Sequence, residues 1–378
     1  MNELVFKRLL ALLQADEALR PGRFLKPAGS KPDDSLFAGM NEEDWTILYR
    51  QAVEEGVMAL AFDGVLCLPE TLHPPKKLKL SWGASLDYVE RRYAHFQAVA
   101  QELAALFGEH GIRMLVIKGL SLSQYYPVPA HREFGDLDIY LFGKHKQGDQ
   151  LLKEVGAVPG TNNSYKHTVF TYKGVLIENH AHFIDVINSG KILELDENLL
   201  HILEESKEIS DASPDEVLFP PPRFTALFFI AHASQHFCIN ALVLRAFCDW
   251  AVFLRTNKDK IDFPTFRETL EKAGLWAFAV GLTVVTGEWI GLPDMPDMGN
   301  DSRMEAWLRR EKPAYQPYPP CYAKSACGIV VYKLKRFFHI YKRKRTLYGL
   351  PLIQFIENSR DSLIYHIKHP KTVSRNKI

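Results

Sequence analysis

The chain has 378 residues, 47% of them hydrophobic, enough to bury a substantial core and, at roughly 100–200 residues per domain, to form two or three domains. Lys and Arg number 46 against 45 Asp and Glu, a formal net charge of +1, so no general electrostatic pull toward nucleic acid or membrane exists and such a partner must be held by a local patch. The five cysteines (Cys67, Cys238, Cys248, Cys321, Cys327) are odd in number and form no CxxC pair, which fits free thiols in a reducing compartment.

The N-terminal stretch MNELVFKRLLALLQADEALR has a helical rhythm and acidic residues. It lacks the continuous apolar run and small-residue cleavage site of a signal peptide. Ala277 to Val285 is the most apolar piece and is far short of the ~18 residues of a membrane helix. A cytoplasmic location without membrane association is the expectation.

Residues 1–75 read as helical, with segments Leu4–Leu13 and Asp44–Phe62 around a Pro/Gly/Asp-rich loop at Pro27–Met40 and a second loop at Pro69–Pro75. A long amphipathic helix follows. Val89, Tyr93, Phe96, Ala100, Leu103 and Phe107 recur at steps of three and four, one face of a helix, until Gly108 and Gly111 stop it.

From residue 112 the pattern becomes one of strands. Ile112–Ile117 is a short buried strand, ending in Lys118-Gly119 and leading to a helix through Gln124-Tyr125-Tyr126. Asp136–Phe142 alternates, with Asp136, Asp138 and Tyr140 on one face and Leu137, Ile139 and Leu141 on the other. A helix at Lys146–Val155 precedes two strands, Tyr165–Tyr172 and Val175–Phe183, joined by a two-residue turn at Lys173-Gly174.

Beyond about 190 helices return: Phe224–Phe237 after Pro220-Pro221-Pro222, then Leu242–Leu254. Loops fall at 291–302 and 312–320, and a basic helical tail runs from Ile329 to the end, with no internal repeat or low-complexity tract. The expected fold class is α+β: a small mixed β-sheet with helices (86–190), flanked by an N-terminal helical region (1–85) and a C-terminal helical domain (191–378).

Side chains at i and i+2 of a strand share a face, so Asp136 and Asp138 point together. Two close carboxylates repel unless a cation sits between them, and Mg²⁺ is held in just this way by one or two carboxylates plus substrate phosphates. A solvated edge strand also carries such pairs, so the surroundings matter. Ahead of the pair, a strand–glycine–helix junction offers backbone N–H groups to phosphate, with Gly119 permitting close approach and Lys118 and Arg132 adding charge. Behind it, V-L-I-E-N-H-A-H-F places Leu176, Glu178, His180 and His182 on one strand face. A Glu within an apolar strand calls for a partner if buried, and is simply solvated if that face is open.

The segment LVIKGLSLSQYYPVPAHREFGDLDIYLF resembles the core of an uncharacterised bacterial nucleotidyltransferase family within the polymerase-β-like superfamily. The Lys-Gly turn, the aromatic-Pro step, the Arg and the Gly-Asp-hydrophobic-Asp carry the likeness, and an apolar-Glu-x-His segment extends it to Glu178 and His180. In the wider superfamily Gly or Ser follows the turn glycine; here Leu120 does, with Ser121 one place later, so the phosphates fall to Ser121 or to backbone alone. The resemblance implies a nucleotidyltransferase-type fold and an enzyme with Mg²⁺ (or Mn²⁺) on Asp136, Asp138 and Glu178. It also implies an NTP at Lys118, Gly119, Ser121 and Arg132, and transfer of an NMP to a hydroxyl of a small molecule, sugar or protein.

Glu178 would position a second metal or deprotonate the acceptor. His180 stays open between ligand, substrate contact and hydrogen-bonded edge residue, and His182 reads as the last of these. Two alternatives stand beside this: an RNA- or tRNA-nucleotidylating, toxin-like enzyme, and a catalytically silent nucleotide-binding protein.

His232 and His236, four apart on a helix, lack the Glu of a zinc-protease pattern and read as packed or paired histidines. Arg245 and Asp249 have the spacing of an intrahelical ion pair. The family likeness extends to them, leaving substrate contact as the minority reading. In the tail, Lys333, Lys335, Arg336, Lys342, Arg343, Lys344 and Arg345 alternate with Phe337, Phe338 and Tyr341. This suits a solvated amphipathic helix with its aromatics inward, or a nucleic-acid track.

Overall fold

The computed structural model describes residues 3–15, 33–161, 164–185, 190–291, 295–311, 326–357 and 359–360. The expected loop at 312–320, Cys321, residues 27–32 of the loop at Pro27–Met40 and the end of the basic tail lie outside them. Helices α1 (Glu3–Ala15), α2 (Glu42–Glu54) and α3 (Met58–Leu66) form the N-terminal region. The single segment expected at Asp44–Phe62 is two helices, because Gly56 takes a positive φ of 65° and turns the chain between them. A Cβ there would also stand 3.1 Å from the Arg245 guanidinium.

Helix α4 (Lys76–Glu109) buries Phe96, Ala100, Leu103 and Phe107 of the expected stripe, leaves Val89 and Tyr93 half-buried, adds Val99 and Ala104, and ends before Gly111 at φ 66°. Next come β1 (Met114–Val116), the one-turn helix α5 (Leu120–Ser123), β2 (Asp136–Tyr140), α6 (His145–Glu154), β3 (Val158–Pro159), β4 (His167–Tyr172) and β5 (Val175–His180). The β4–β5 turn is formed by Lys173 at φ 48° and Gly174 at φ 77°. Two successive positive φ values match the right-handed twist of a two-residue hairpin.

Helices α7 (Gly190–Glu204) and α8 (Lys207–Ser210), strand β6 (Val217–Leu218), then α9 (Pro222–Ile239), α10 (Leu244–Asn257), α11 (Phe263–Ala273), α12 (Trp276–Ile290), α13 (Ser302–Arg310) and α14 (Ala326–Tyr348) complete the chain. None of the described helices is long and apolar enough to cross a membrane.

The strands form one mixed sheet in the order β3-β4-β5-β2-β1-β6. Strand β2 lies antiparallel to β1 and parallel to β5; β1 also pairs in parallel with β6. Helix α4 runs through position 85/86, and β6 joins the sheet from beyond 190.

Alternation gives the sheet two unlike faces. Val116, Leu137, Ile139, Leu141, Phe170 and Ile177 pack with Phe96, Leu103 and Phe107 of α4 and Leu151 and Leu152 of α6. Each such aliphatic or aromatic burial stabilises the fold by roughly 1.5–3 kcal/mol. On the opposite face Leu115, Ile117 and Tyr140 belong to the larger core built by the flanking helices, where Phe183, Phe224, Leu244, Phe247 and Trp250 meet. Asp136, Asp138 and Glu178 share that second face.

Polar links tie the N-terminal helices to the rest. His131, between β1 and β2, meets Asp63 of α3 at 2.5 Å and Glu90 of α4 at 3.0 Å. Glu55, fully buried after α2, accepts from Leu244 N at 2.9 Å at the start of α10, and from Gln51 Nε2 at 3.2 Å. In the tail, Arg343 is buried, donating to Phe237 O at 2.6 Å and to Glu311, while Phe337 and Tyr341 stack on Phe355. Part of the basic tail is therefore structural.

Burial raises the Glu55 carboxyl to about 7, against the lowering by its hydrogen bonds from Leu244 and Gln51. The folded chain keeps a proton that the unfolded chain loses near the ordinary 4.5. This contribution is therefore complete below pH 4.5 and is lost as pH rises through about 7. Glu55→Gln should gain roughly 1–3 kcal/mol on wild type between pH 5 and pH 8 in urea unfolding; a pH-independent difference would contradict this origin.

Candidate active site

Parallel pairing of β2 and β5 sets Asp138 opposite Glu178 and Asp136 opposite Leu176. Ligand atoms of Asp136, Asp138 and Glu178 all lie within 4.8 Å of one another. Asp138 is fully buried and Asp136 and Glu178 partly so, which rules out a simply solvated Glu178. Sequence reasoning thus brought together three carboxylates that the sheet does bring together.

Lys118, just past β1, is the cation between them, with Nζ 3.0 Å from Asp138 Oδ1 and 3.9 Å from Asp136 Oδ2. Burial alone would draw its ammonium down, but Asp138, Asp136 and Glu178 reverse that and hold it above its ordinary value. His180 Nε2 lies 3.0 Å from Asp138 Oδ1 and 3.5 Å from Glu178 Oε2, and its Nδ1 sits 3.0 Å from His182 O. Burial would lower the imidazole too, yet hydrogen bonds to Asp138 and Glu178 raise it.

Both carboxylates stay ionised. Burial pushes Asp138 up, and Lys118 and His180 bring it below its usual range. Glu178 is likewise pushed up by burial, then brought to about 2 by His180, Lys118 and His167. Asp138 Oδ2 is buried with no hydrogen-bond partner. An ionised oxygen left unpaired in this way, among hard oxygen donors, fits a divalent cation held by Asp136, Asp138 and Glu178.

The turn before β2 differs from its expected form. Helix α5 is a single turn ending at Ser123, and Gln124–Tyr126 lie beyond it, so little helix dipole stands behind this junction. Gly119 takes φ 63°, with Phe134 3.3 Å and Asp136 O 3.4 Å from where a Cβ would be. Glycine is therefore required both for its conformation and for its closeness to β2. Ser121 is fully buried and its Oγ has no partner.

Arg132 is not an open phosphate donor. Its Nε and a terminal nitrogen each donate at 2.8 Å to the two oxygens of Asp249 on α10, a bidentate pair, and its other nitrogen donates at 3.3 Å to Gly119 O. Tyr126 OH adds a 2.7 Å bond to Asp249. The expected Arg245–Asp249 helical pair is absent among the described residues, because Asp249 points to Arg132 while Arg245 donates at 2.9 Å to Glu133 O. The Arg132–Asp249 clamp locks the Gly119 carbonyl and the β1–β2 loop onto helix α10.

His232 and His236 of α9 meet edge-on at 4.4 Å. The half-buried His232 imidazole is lowered, burial first, then by His236, Lys118 and Lys166, while the His236 side chain is open to solvent.

Two neighbours escaped sequence reasoning. Lys166 is drawn down by burial and then by Lys118, opposed by Asp138 and Glu178. His167 pairs across the hairpin with His180 and approaches Glu178 Oε2 at 3.7 Å. The turn at Lys173-Gly174 was signal enough for the second. Pairing Tyr172 with Val175 brings His167 opposite His180 five steps along.

Residues 41–291 match the family described as an uncharacterised nucleotidyltransferase. The match covers most of the chain, from α2 to the end of α12, and the chain belongs to that family. No curated protein and no solved structure matches it. Membership supports general nucleotidyl-transfer activity and implies a nucleotide substrate.

Asp249→Ala should destabilise the protein by about 3–5 kcal/mol in chemical denaturation, since it strands the buried Arg132 charge. A loss below about 1 kcal/mol would show that Arg132 finds solvent or another partner.

Proposed function

We propose that this chain is an Mg²⁺-dependent nucleotidyltransferase that moves a nucleoside monophosphate from an NTP to a hydroxyl on a small molecule, sugar or protein and releases pyrophosphate. The observation that carries the reading is the convergence of Asp136, Asp138 and Glu178 with one buried Asp138 oxygen unpaired. Asp136, Asp138 and Glu178 would hold Mg²⁺ (or Mn²⁺), which when bound neutralises triphosphate charge and the charge that develops on the reacting oxygens.

The chain's own groups do the rest. Lys118 stays charged and lies at the carboxylates, so its ammonium can turn to a phosphate oxygen once another cation takes its place. Gly119 lets backbone come close to phosphate, and Ser121 Oγ retains its full hydrogen-bonding capacity. Arg132 acts by holding Gly119 O in place rather than by gripping phosphate.

Glu178, at about 2, suits holding a cation better than taking a proton. His180 orients Asp138 and Glu178. Arg245, His232 and His236 would face the acceptor, whose hydroxyl oxygen would attack the α-phosphorus in line with the leaving pyrophosphate and release its proton to water.

The burial of Arg343 removes one charge from the basic tail as a nucleic-acid track, which favours a non-nucleic-acid acceptor over the RNA-modifying alternative. Retention of all three carboxylates favours catalysis over silent nucleotide binding.

The test is incubation with Mg²⁺ and α-labelled nucleotides, alone and with cell extract, following the label into protein, RNA and small molecules. Transfer is expected from wild type and should fall roughly 100-fold or more in Asp136→Ala/Asp138→Ala. No transfer by wild type, or equal transfer by the variant, contradicts the reading.

A further inference from the structure

On the β4 side of the carboxylates lies a second group of donors with different chemistry. Antiparallel pairing sets His167 directly opposite His180, with Glu178 two residues before His180 and therefore on its face. Ligand atoms of His167, Glu178 and His180 all lie within 4.8 Å of one another. The Glu178 oxygen sits 3.5 Å from His180 Nε2 and 3.7 Å from His167 Nδ1. Donors held about 2.0–2.1 Å from a tetrahedral ion stand roughly 3.4 Å apart, so these spacings need little adjustment.

We propose that His167, Glu178 and His180 form a nitrogen-rich cation site that takes a borderline divalent ion, Zn²⁺ or Co²⁺, in preference to Mg²⁺. Two observations support it independently of the family. His167 Nδ1 is buried with no hydrogen-bond partner, an unmet need that an ion would fill. His180 Nδ1 is engaged by the His182 carbonyl, the outer arrangement by which metal-binding imidazoles are oriented, and Nε2, 3.0 Å from Asp138 Oδ1 and 3.5 Å from Glu178 Oε2, would give up its proton and its Asp138 bond to take the ion.

Plain packing of two histidine rings is the competing explanation. The rings do sit 5.2 Å apart at 53°, but packing alone accounts neither for the Glu178 oxygen between them nor for the unpaired Nδ1. Two imidazoles with one carboxylate suit Zn²⁺ or Co²⁺, whereas Mg²⁺ demands near-octahedral oxygen. Three protein donors leave a position for an outside oxygen.

The site shares Glu178 with the proposed nucleotidyl-transfer site but draws its other donors from β4 and β5 alone, so the two readings can fail separately. Co²⁺ is the probe, titrated into the full chain and followed by its visible absorption. A band typical of nitrogen-ligated four- or five-coordinate Co²⁺ is expected, not displaced by millimolar Mg²⁺. Asp136→Ala should keep the band, and His167→Ala should bind Co²⁺ at least about tenfold more weakly while retaining its circular dichroism.

Should His167→Ala misfold, anomalous scattering from Co²⁺-soaked wild-type crystals decides, with a peak expected among His167, Glu178 and His180. Co²⁺ at Asp136 and Asp138 alone, no nitrogen-type band, or equal affinity in folded His167→Ala overturns the proposal. Nucleotide transfer without such a band sinks this site and spares the proposed function. A His167-dependent band without transfer does the reverse.

Discussion

Three carboxylates gathered on one sheet face repel one another, and the surrounding structure is arranged to contain that repulsion. At an effective dielectric near 20, two like charges about 5 Å apart cost roughly 3 kcal/mol. Asp136, Asp138 and Glu178 present three such pairs within 4.8 Å. Lys118 and His180 offset this from either side, and both are shifted toward their charged forms by the carboxylates they meet. Removing charge would be the cheaper solution for stability alone. That Asp138 and Glu178 are instead held below their ordinary values, with one oxygen of Asp138 unpaired, is what the proposed cation-binding role explains.

The rest of the architecture holds this face in place. Strand alternation sends Leu137, Ile139 and Ile177 into the α4 and α6 layer, which fixes the opposite side chains without touching them. The bidentate Arg132–Asp249 pair fastens the turn at Gly119 to α10, and Glu55 caps the start of that same helix from the N-terminal region. These contacts tie all three stretches of the chain together, and the family match, running from 41 to 291, spans the same connections.

Much of this was legible in the sequence where the interactions are local. The i, i+2 spacing of Asp136 and Asp138, the apolar strand around Glu178, and the turn at Lys173-Gly174 all report on neighbours a few residues away. The two-layer burial and the α+β arrangement follow from the same periodicities. What stayed hidden depends on partners far apart in the chain. Arg132 looked like a phosphate ligand because Asp249, 117 residues on, could not be seen to claim it, and Asp249 looked like the partner of Arg245 because spacing on a helix says nothing of what lies across a cleft. The break at Gly56 was masked by apolar residues continuing on both sides. His167 was within reach of the hairpin register, but a histidine at the start of a strand carries no signal until its cross-strand partner is drawn.

The decisive measurement is a crystal structure of the protein with Mn²⁺ and a non-hydrolysable NTP, the ion located by anomalous scattering. Mn²⁺ bound to Asp136 and Asp138, in contact with the triphosphate and with Lys118 turned from Asp138 toward phosphate, is the predicted result. A nucleotide bound elsewhere, or Mn²⁺ touching neither Asp136 nor Asp138, would contradict it.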